Sequence, residues 1–312
     1  MSPQEMSSTA RISRRLLTIL AAIVLIAFAL IEILPFIFTV ANSFKCLPAV
    51  AAQPQAIIPV PPFGIACRTE EGTVLSAEEM TGPVTFNPST AGYDNVFAQN
   101  LGRWLFNTAF VSVIVTITHL IFDSLAGYAL ARIKFFGSRF FFYLVLGVMM
   151  IPGIVLIIPR FIILKQLNML DSYQGLIIPL ATTPFGIFLM KQFFEAIPGE
   201  IEEAAMVDGA NRFVMFFRVI LPMATPALTA LAIFSFQGMW NNFLDVLIVI
   251  QRNTDLWTLP LGLASLRGQF GSTLEWNTFL AGSVITTVPL AIIFFVFQRY
   301  FVEGISYTGL KG

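Results

Sequence analysis

One histidine and two cysteines among 312 residues are too few ligands for a built-in zinc site, and no C-x-x-C spacing is present. Charge is scarce too. Only 12% of residues are charged, and 18 basic residues cancel 18 acidic ones, so no positive excess recommends DNA or RNA as a partner. No G-x-x-x-x-G-K-[ST] occurs, so no phosphate-cradling loop and no cofactor are expected in this chain. No internal repeat or low-complexity tract stands out. What the chain has in excess is apolar residues. At 56% hydrophobic and a mean hydropathy of +0.80 it is too apolar for a soluble domain of its length and belongs in a bilayer.

A helix rises about 1.5 Å per residue, so crossing a hydrocarbon core of about 30 Å takes roughly 20 mostly apolar residues. Six segments meet that length: 16–40, 104–130, 140–164, 173–194, 223–250 and 277–301. The first follows Arg14 and Arg15 as a secretory signal would. It is longer than a signal's apolar region, however, and contains Glu32 and Pro35, which favours a retained helix. Basic residues concentrate on one side of the spans, with Arg11, Arg14, Arg15, Arg132, Lys134, Arg139, Lys191, Arg212 and Arg218 all falling there if the N-terminus is cytoplasmic. The expectation is an all-α membrane protein of six transmembrane helices with both termini cytoplasmic. Its parts are a cytoplasmic N-terminus (1–15), a first span (16–40), an extracytoplasmic loop (41–103), a five-helix core (104–301) and a cytoplasmic tail (302–312).

The loop at 41–103 is rich in turn residues and reads either as a small irregular cap or as a disordered segment. It carries Cys46 and Cys67 on the oxidising side of the membrane. A disulfide between them is expected, closing a loop of about 20 residues and worth roughly 3 kcal/mol if unstrained.

Within the core, the segment 195–222 lies on the cytoplasmic side. Good helix formers run from Glu200 to Val207, with acids in the first turn opposing the positive end of the helix dipole. Gly209 supplies the left-handed backbone that closes a helix. A second amphipathic run carries Phe213, Phe216 and Phe217 and is expected to end at Pro222. Such a helix–turn–helix suits docking of a partner, although a connector lying along the membrane surface would show the same pattern.

The spacing Glu203-Ala204-Ala205, three residues, Gly209, nine residues, Val219, one residue, Leu221-Pro222 resembles the EAA signature loop of binding-protein-dependent ABC importers, with Val219 where that family usually has isoleucine. Further stretches are similar to the carbohydrate, maltose-type branch: Asn42-Ser-Phe-Lys45, Tyr93-Asp-Asn-Val-Phe97, Ala126-Gly-Tyr-Ala-Leu-Ala-Arg132, Trp240-Asn241 and the tail Gln298-Arg-Tyr-Phe-Val-Glu-Gly304 to Lys311-Gly312. Val246 stands where many relatives have proline, so the fifth helix is expected to differ locally, and the unusual Asp245 beside it leaves the solute open.

The resemblance implies an inner-membrane permease subunit that is not itself an enzyme. Its partners would be a second homologous permease, two ATPase subunits that hold ATP and Mg, an extracytoplasmic solute-binding protein and membrane lipid. The solute would be carbohydrate-like: an oligosaccharide, a disaccharide, a polyol or a glycerol phosphate. Glu203, Ala204, Ala205, Gly209, Leu221 and Pro222 would form the loop coupled to the ATPase.

Polar residues inside spans mark cavities or bundle interiors. The second span carries Asn107, Thr108, Ser112, Thr116, Thr118, His119, Asp123 and Ser124, mostly on one face. His119 and Asp123, four apart, suit either interhelical hydrogen bonds or a proton relay. Trp240, Asn241 and Asp245 are candidates for the solute pathway, with packing against the partner permease as the alternative. Pro152-Gly153, Pro159, Pro179 and Pro184 interrupt the third and fourth spans as hinges or simple kinks. The rival functions are a stand-alone ion-coupled transporter using Asp123, His119 and Asp245, and a membrane-embedded enzyme, for which no nucleophile or metal companion is evident.

Overall fold

The protein is described by a computed structural model that covers residues 8–45, 50, 89–269 and 276–309. Every regular element among the described residues is helical. Cys46, Cys67 and the final three residues lie outside this set. Two compact units are present: Met1–Ala98 with Phe270–Ile285, and Gln99–Gln269 with Thr286–Gly312.

In the first unit α1 spans Ser8–Ser43. Its apolar side chains from Leu16 to Phe36 are exposed all round, as suits a helix solvated by lipid. The helix is followed at Ala91–Ala98 by α2, so the turn-rich reading of 41–103 is wrong at its end, where apolar spacing was masked by glycine and tyrosine. Two stretches distant in sequence meet here. Ser43 Oγ and Tyr93 Oη are 2.8 Å apart, the rings of Phe44 and Tyr93 are 5.0 Å apart, and the Ser89 amide donates to the Phe44 carbonyl at 2.8 Å. Gly92 lets α2 approach the Asn277 backbone, since a Cβ there would come within 2.6 Å of its carbonyl oxygen.

The second unit is organised by α3, Leu101–Arg132, four of whose polar side chains, Asn107, Thr108, His119 and Asp123, hold irregular backbone. Asn107 donates to the carbonyls of Asp255 and Trp257 (2.7 and 2.8 Å) and accepts from Tyr173 Oη at 2.7 Å. The Thr108 hydroxyl accepts the Leu259 amide at 2.8 Å. After α3 come α4 (Ser138–Met149), α5 (Gly153–Gln166), α6 (Tyr173–Ile177, continued by one 3-10 turn to Leu180), α7 (Pro184–Ala196) and α8 (Gly199–Val207). They are followed by α9 (Arg212–Met223), α10 (Thr225–Trp240), α11 (Leu244–Val249), α12 (Leu259–Gln269) and α13 (Trp276–Gly309). Lipid is as apolar as leucine, so burial alone does not drive helices together in a bilayer, and these polar clasps carry much of the specificity.

Among the described residues four helices are long and apolar enough to cross a membrane: Leu16–Ser43, Leu101–Arg132, Tyr173–Ala196 and Trp276–Gln298. Two bent pairs bring the number to six, α4 with α5 at 96° and α9 with α10 at 78°. Three expected spans are therefore not continuous helices. The third breaks at Pro152, which has no amide hydrogen and turns its predecessor out of the helical region. The fourth breaks at Ala181–Thr183, ahead of Pro184. The fifth stops at Trp240 and restarts at Leu244 without any proline, because the Asn242 side chain accepts the Asp245 amide (3.1 Å) and offers the backbone a local alternative to the helix. The last helix, α13, runs beyond the apolar span, which ends at Gln298, and continues to Gly309.

Candidate functional site

The segment between the fourth and fifth spans forms two helices joined at a sharp bend. Gly209 has φ +81°. Its amide donates to the Met206 carbonyl (3.0 Å) and the Ala210 amide to the Ala205 carbonyl (2.9 Å), the paired bonds of a Schellman closure. Asn211 then caps α9 by accepting the Val214 amide at 2.9 Å. Pro222 does not end the second helix as expected. From Met215 to Ile220 the helix widens to π geometry, which leaves room for the proline ring that would otherwise clash with the preceding turn, and α9 runs on to Met223.

The signature residues divide between two faces. Ala205, Val219 and Leu221 pack on a core of Tyr128, Phe194, Met215, Phe216 and Ile220. Glu203, Ala204, Gly209 and Pro222 face outward. Beside them stand two apolar side chains flanking the bend, Val207 (88% exposed) and Phe213 (75%). A stiff corner with an apolar tip on a charged rim is a shape that fills a cleft.

The corner is seated on α3 by Arg132, which ends the stretch Ala126–Arg132, and by Glu202, which motif spacing does not reveal. Arg132 Nη2 donates to the carbonyls of Phe194, at 2.6 Å, and Ile197, closing the carbonyl end of α7. Its Nε lies 3.4 Å from the carboxylate of Glu202, which is buried in the first turn of α8. The other Glu202 oxygen lies 4.0 Å from Arg212 at the start of α9. One guanidinium thus joins α3, α7 and α8. Glu203, which carries the motif, points away from this contact, and Glu202, which does the seating, has no motif to mark it.

His119 and Asp123 do not pair with each other; together they clasp the break in the fourth span. His119 Nε2 is 2.6 Å from the Leu180 carbonyl and Nδ1 is 2.8 Å from Ser235 Oγ. A carbonyl only accepts, so Nε2 carries a proton and donates to Leu180, while Nδ1 and the Ser235 hydroxyl share a hydrogen bond. Asp123 accepts from Thr182 Oγ1 (2.5 Å), the Thr183 amide (3.0 Å) and Thr183 Oγ1 (3.1 Å). Gly186 is packed against this carboxylate, and a Cβ there would overlap Asp123 Oδ2. His119 and Asp123 together form an interhelical clasp on this break.

Trp240, Asn241 and Asp245 are not brought together on one wall. Trp240 is 2% exposed and donates from Nε1 to the Thr286 carbonyl at 3.2 Å, a packing role. Asp245 is ion-paired with Arg160 of α5 and accepts from Asn242 Nδ2 at 2.8 Å. Asn241 alone of the three is exposed. The Arg160–Asp245 pair escapes sequence reasoning because its members are 85 positions apart and neither belongs to a motif. No group of three or more His, Cys, Asp or Glu suited to a metal occurs among the described residues.

A family model described as "Binding-protein-dependent transport system inner membrane component" matches residues 123–307, more than half of the chain. The chain belongs to this permease family. The matched span opens at Asp123 of the clasp and contains the whole α8–α9 corner. The permease is 38% identical over 244 residues to the arabinooligosaccharides transport system permease protein AraQ of Halalkalibacterium halodurans, covering 76% of this chain and 86% of that one. It is 35% identical to the trehalose/maltose transport system permease protein MalG of Thermococcus litoralis (67% of this chain, 75% of that one). It is 33% identical to the sn-glycerol-3-phosphate transport system permease protein UgpE of Yersinia enterocolitica (65% and 72%). Its fold matches a chain in the crystal structure of a bacterial ABC transporter involved in the import of the acidic polysaccharide alginate, with a TM-score of 0.74 and 24% identity over 96% of this chain and all of that one. The permease is thus a multi-pass membrane transport subunit.

Proposed function

We propose that the permease forms half of the translocation pathway of an ATP-driven importer for a carbohydrate-like solute. A second, homologous permease supplies the other half. Two ATPase subunits hold ATP and Mg, and an extracytoplasmic binding protein delivers the solute. The observation that carries this reading is the α8–α9 corner, stiffened by the Gly209 closure, tipped by Val207 and Phe213, and tied through Glu202 and Arg132 to α3 and α7. In that role both termini and the corner face the cytoplasm, as the basic residues around Arg132, Lys134, Arg139, Arg212 and Arg218 favour. The absence of a phosphate-cradling loop in the sequence accords with ATP chemistry borrowed from a partner.

The test uses the assembled transporter in proteoliposomes. Gly209→Val places a β-branched residue at positive φ, at a cost of about 1–2 kcal/mol, and changes the angle of the corner. Glu203→Lys reverses the charge on the exposed, docking face of α8. Both are expected to abolish uptake while the permease pair still inserts, with ATP hydrolysis lost or no longer stimulated by loaded binding protein. Normal coupled transport by both variants would remove the corner from its role, and uptake by this chain alone, driven by an ion gradient, would replace the importer with a secondary transporter.

A further inference from the structure

The chain between α3 and α4 makes a tight turn with an aromatic tip. Gly137 has φ +88°, the left-handed region that lets the backbone reverse, and the Ser138 amide donates to the Phe135 carbonyl at 3.3 Å. The rings of Phe135 and Phe141 meet across the turn with centroids 6.2 Å apart. Lys134 and Arg139 stand on its two limbs, both exposed, and Phe136 between them is fully exposed.

Position and charge decide what covers this tip. The apolar span of α3 ends at Arg132 and the bent α4–α5 pair begins at Ser138, so the turn lies where two spans leave the membrane. It lies on the side of the α8–α9 corner, because Arg132, two residues before Lys134, pairs with Glu202 of that corner. One edge of α4 packs inward, with Phe142 stacked on Phe188 of α7 at 6.4 Å and Lys191 Nζ 4.0 Å from the Phe142 ring centroid. Phe140, Tyr143 and Leu144 are exposed, and no residue of α4 is buried. The tip therefore continues an outward apolar face of a membrane helix, a surface that marks contact with lipid or protein. Charge favours lipid. No acidic residue occurs between Ser124 and Leu170. Of the acids on α7 and α8, Glu195 is held by Lys191 at 2.6 Å and Glu202 by Arg132 and Arg212, while Glu200 and Glu203 are exposed. Lys134 and Arg139 enter no ion pair among the described residues. Two cations without counter-charges beside an aromatic tip at a membrane surface complement an anionic headgroup.

We propose that the Lys134–Arg139 turn binds the headgroup of an anionic phospholipid, with Phe136 set among the acyl chains. The inference needs only that the turn lies at the membrane boundary; that the leaflet is the cytoplasmic one rests on the importer reading above. Arg139 suits a phosphate because its planar guanidinium can meet two oxygens at once, and Lys134 adds a compact charge beside it. Phe136 is an apolar ring at the level where aromatic side chains settle in a bilayer. A zwitterionic headgroup carries its own cation, so its phosphate gains less from this turn. The protein-docking tip on the same side is a separate one, Val207 and Phe213 of the corner. The competing occupants of the turn are an ATPase subunit and the second permease.

The experiment takes the assembled transporter in nanodiscs of equimolar phosphatidylglycerol and phosphatidylcholine, with Phe136 replaced by the photoreactive benzoylphenylalanine. Full exposure of Phe136 makes this replacement compatible with folding. After illumination, mass spectrometry identifies what is attached. One Lys or Arg near an anionic surface corresponds to roughly a fivefold preference. The expected result is lipid adducts with phosphatidylglycerol over phosphatidylcholine by about fivefold or more, a preference that weakens with added salt. Lys134→Gln with Arg139→Gln should bring the ratio near parity while lipid adducts persist, and Lys134→Arg with Arg139→Lys should keep the preference. A smaller preference in the otherwise unaltered transporter overturns the site, as does one that survives the glutamine pair or is lost in the charge-conserving pair. Adducts to an ATPase subunit or to the second permease in place of lipid overturn it as well.

Discussion

Two of the interior breaks of the second unit, in the fourth and fifth spans, are held in opposite ways. At Ala181–Thr183 the freed backbone is taken up from outside the broken helix, with the Leu180 carbonyl bound by His119 and the Thr183 amide by Asp123, both from α3. At Asn241–Phe243 the backbone is held mainly by its own neighbours, Asn242 with Asp245, backed by one ion pair to Arg160. The first break is locked to the spine of the unit and the second is tethered. A locked break fixes geometry, whereas a tethered one can change with little bonding lost, which fits its position beside the exposed face of α10.

The comparison breaks most visibly at Asp123. Asp123→Leu leaves the Thr183 amide and two hydroxyls without their acceptor in the protein interior, and a loss of about 3 kcal/mol is expected. Thermal unfolding of the detergent-solubilised permease pair should shift further for this substitution than for any change at the second break. A shift no larger than that of Asn241→Leu, on the exposed face, would mean the first break is not locked.

Asp245→Asn is expected to do less. Both members of the pair keep about a fifth of their side-chain surface, so the cost should be about 1–2 kcal/mol rather than the 3–5 typical of a fully buried pair. Joint replacement, Arg160→Met with Asp245→Leu, should recover most of it, because no lone charge is left behind. If the double variant is as unstable as the single one, the pair is part of a larger network and the second break is locked as well.

The smallest effect concerns the far end of α11, outside the spans. Asp171 Oδ1 accepts the amides of Gln251, Arg252 and Asn253 (2.8, 2.8 and 3.2 Å), and these bonds hold its carboxyl below the usual carboxylate range. A depressed folded pKa means the stabilisation is fully present above the unfolded value of about 3.9 and is lost as pH falls through the folded value. Asp171→Asn should therefore be destabilised by about 0.5–1 kcal/mol at neutral pH. Its deficit against wild type should shrink towards zero below pH 4. A constant deficit across that range would show that the charge is not what tethers α11.

Much of the architecture is legible in the sequence, for reasons that are local. A run of roughly 20 apolar residues announces a span whatever surrounds it, and Gly209 within a run of helix formers announces a bend. The polar face of α3 is also visible as a periodicity, although its purpose is not. Side chains such as Asn107, Thr108, His119 and Asp123 serve backbone 60 to 151 residues away, and no local pattern encodes which backbone group a side chain will reach. The same distance hides Arg160 from Asp245. Glu202 and Glu203 are indistinguishable as neighbours in a sequence; only the position of Arg132 makes one a buried anchor and leaves the other on the surface.

Gly186 and Asp123 illustrate a further consequence of this long-range fit. Because a Cβ at 186 would occupy the space of the Asp123 carboxylate, the two positions cannot vary independently across descendants of this chain. An alanine or serine at 186 becomes admissible only once position 123 holds something shorter than aspartate. Such a change also removes the acceptor for Thr183, so the route between the two states crosses an unstable intermediate from either side. The lineage is expected to keep the pair together, and to cross only where a compensating acceptor has first appeared near Thr183.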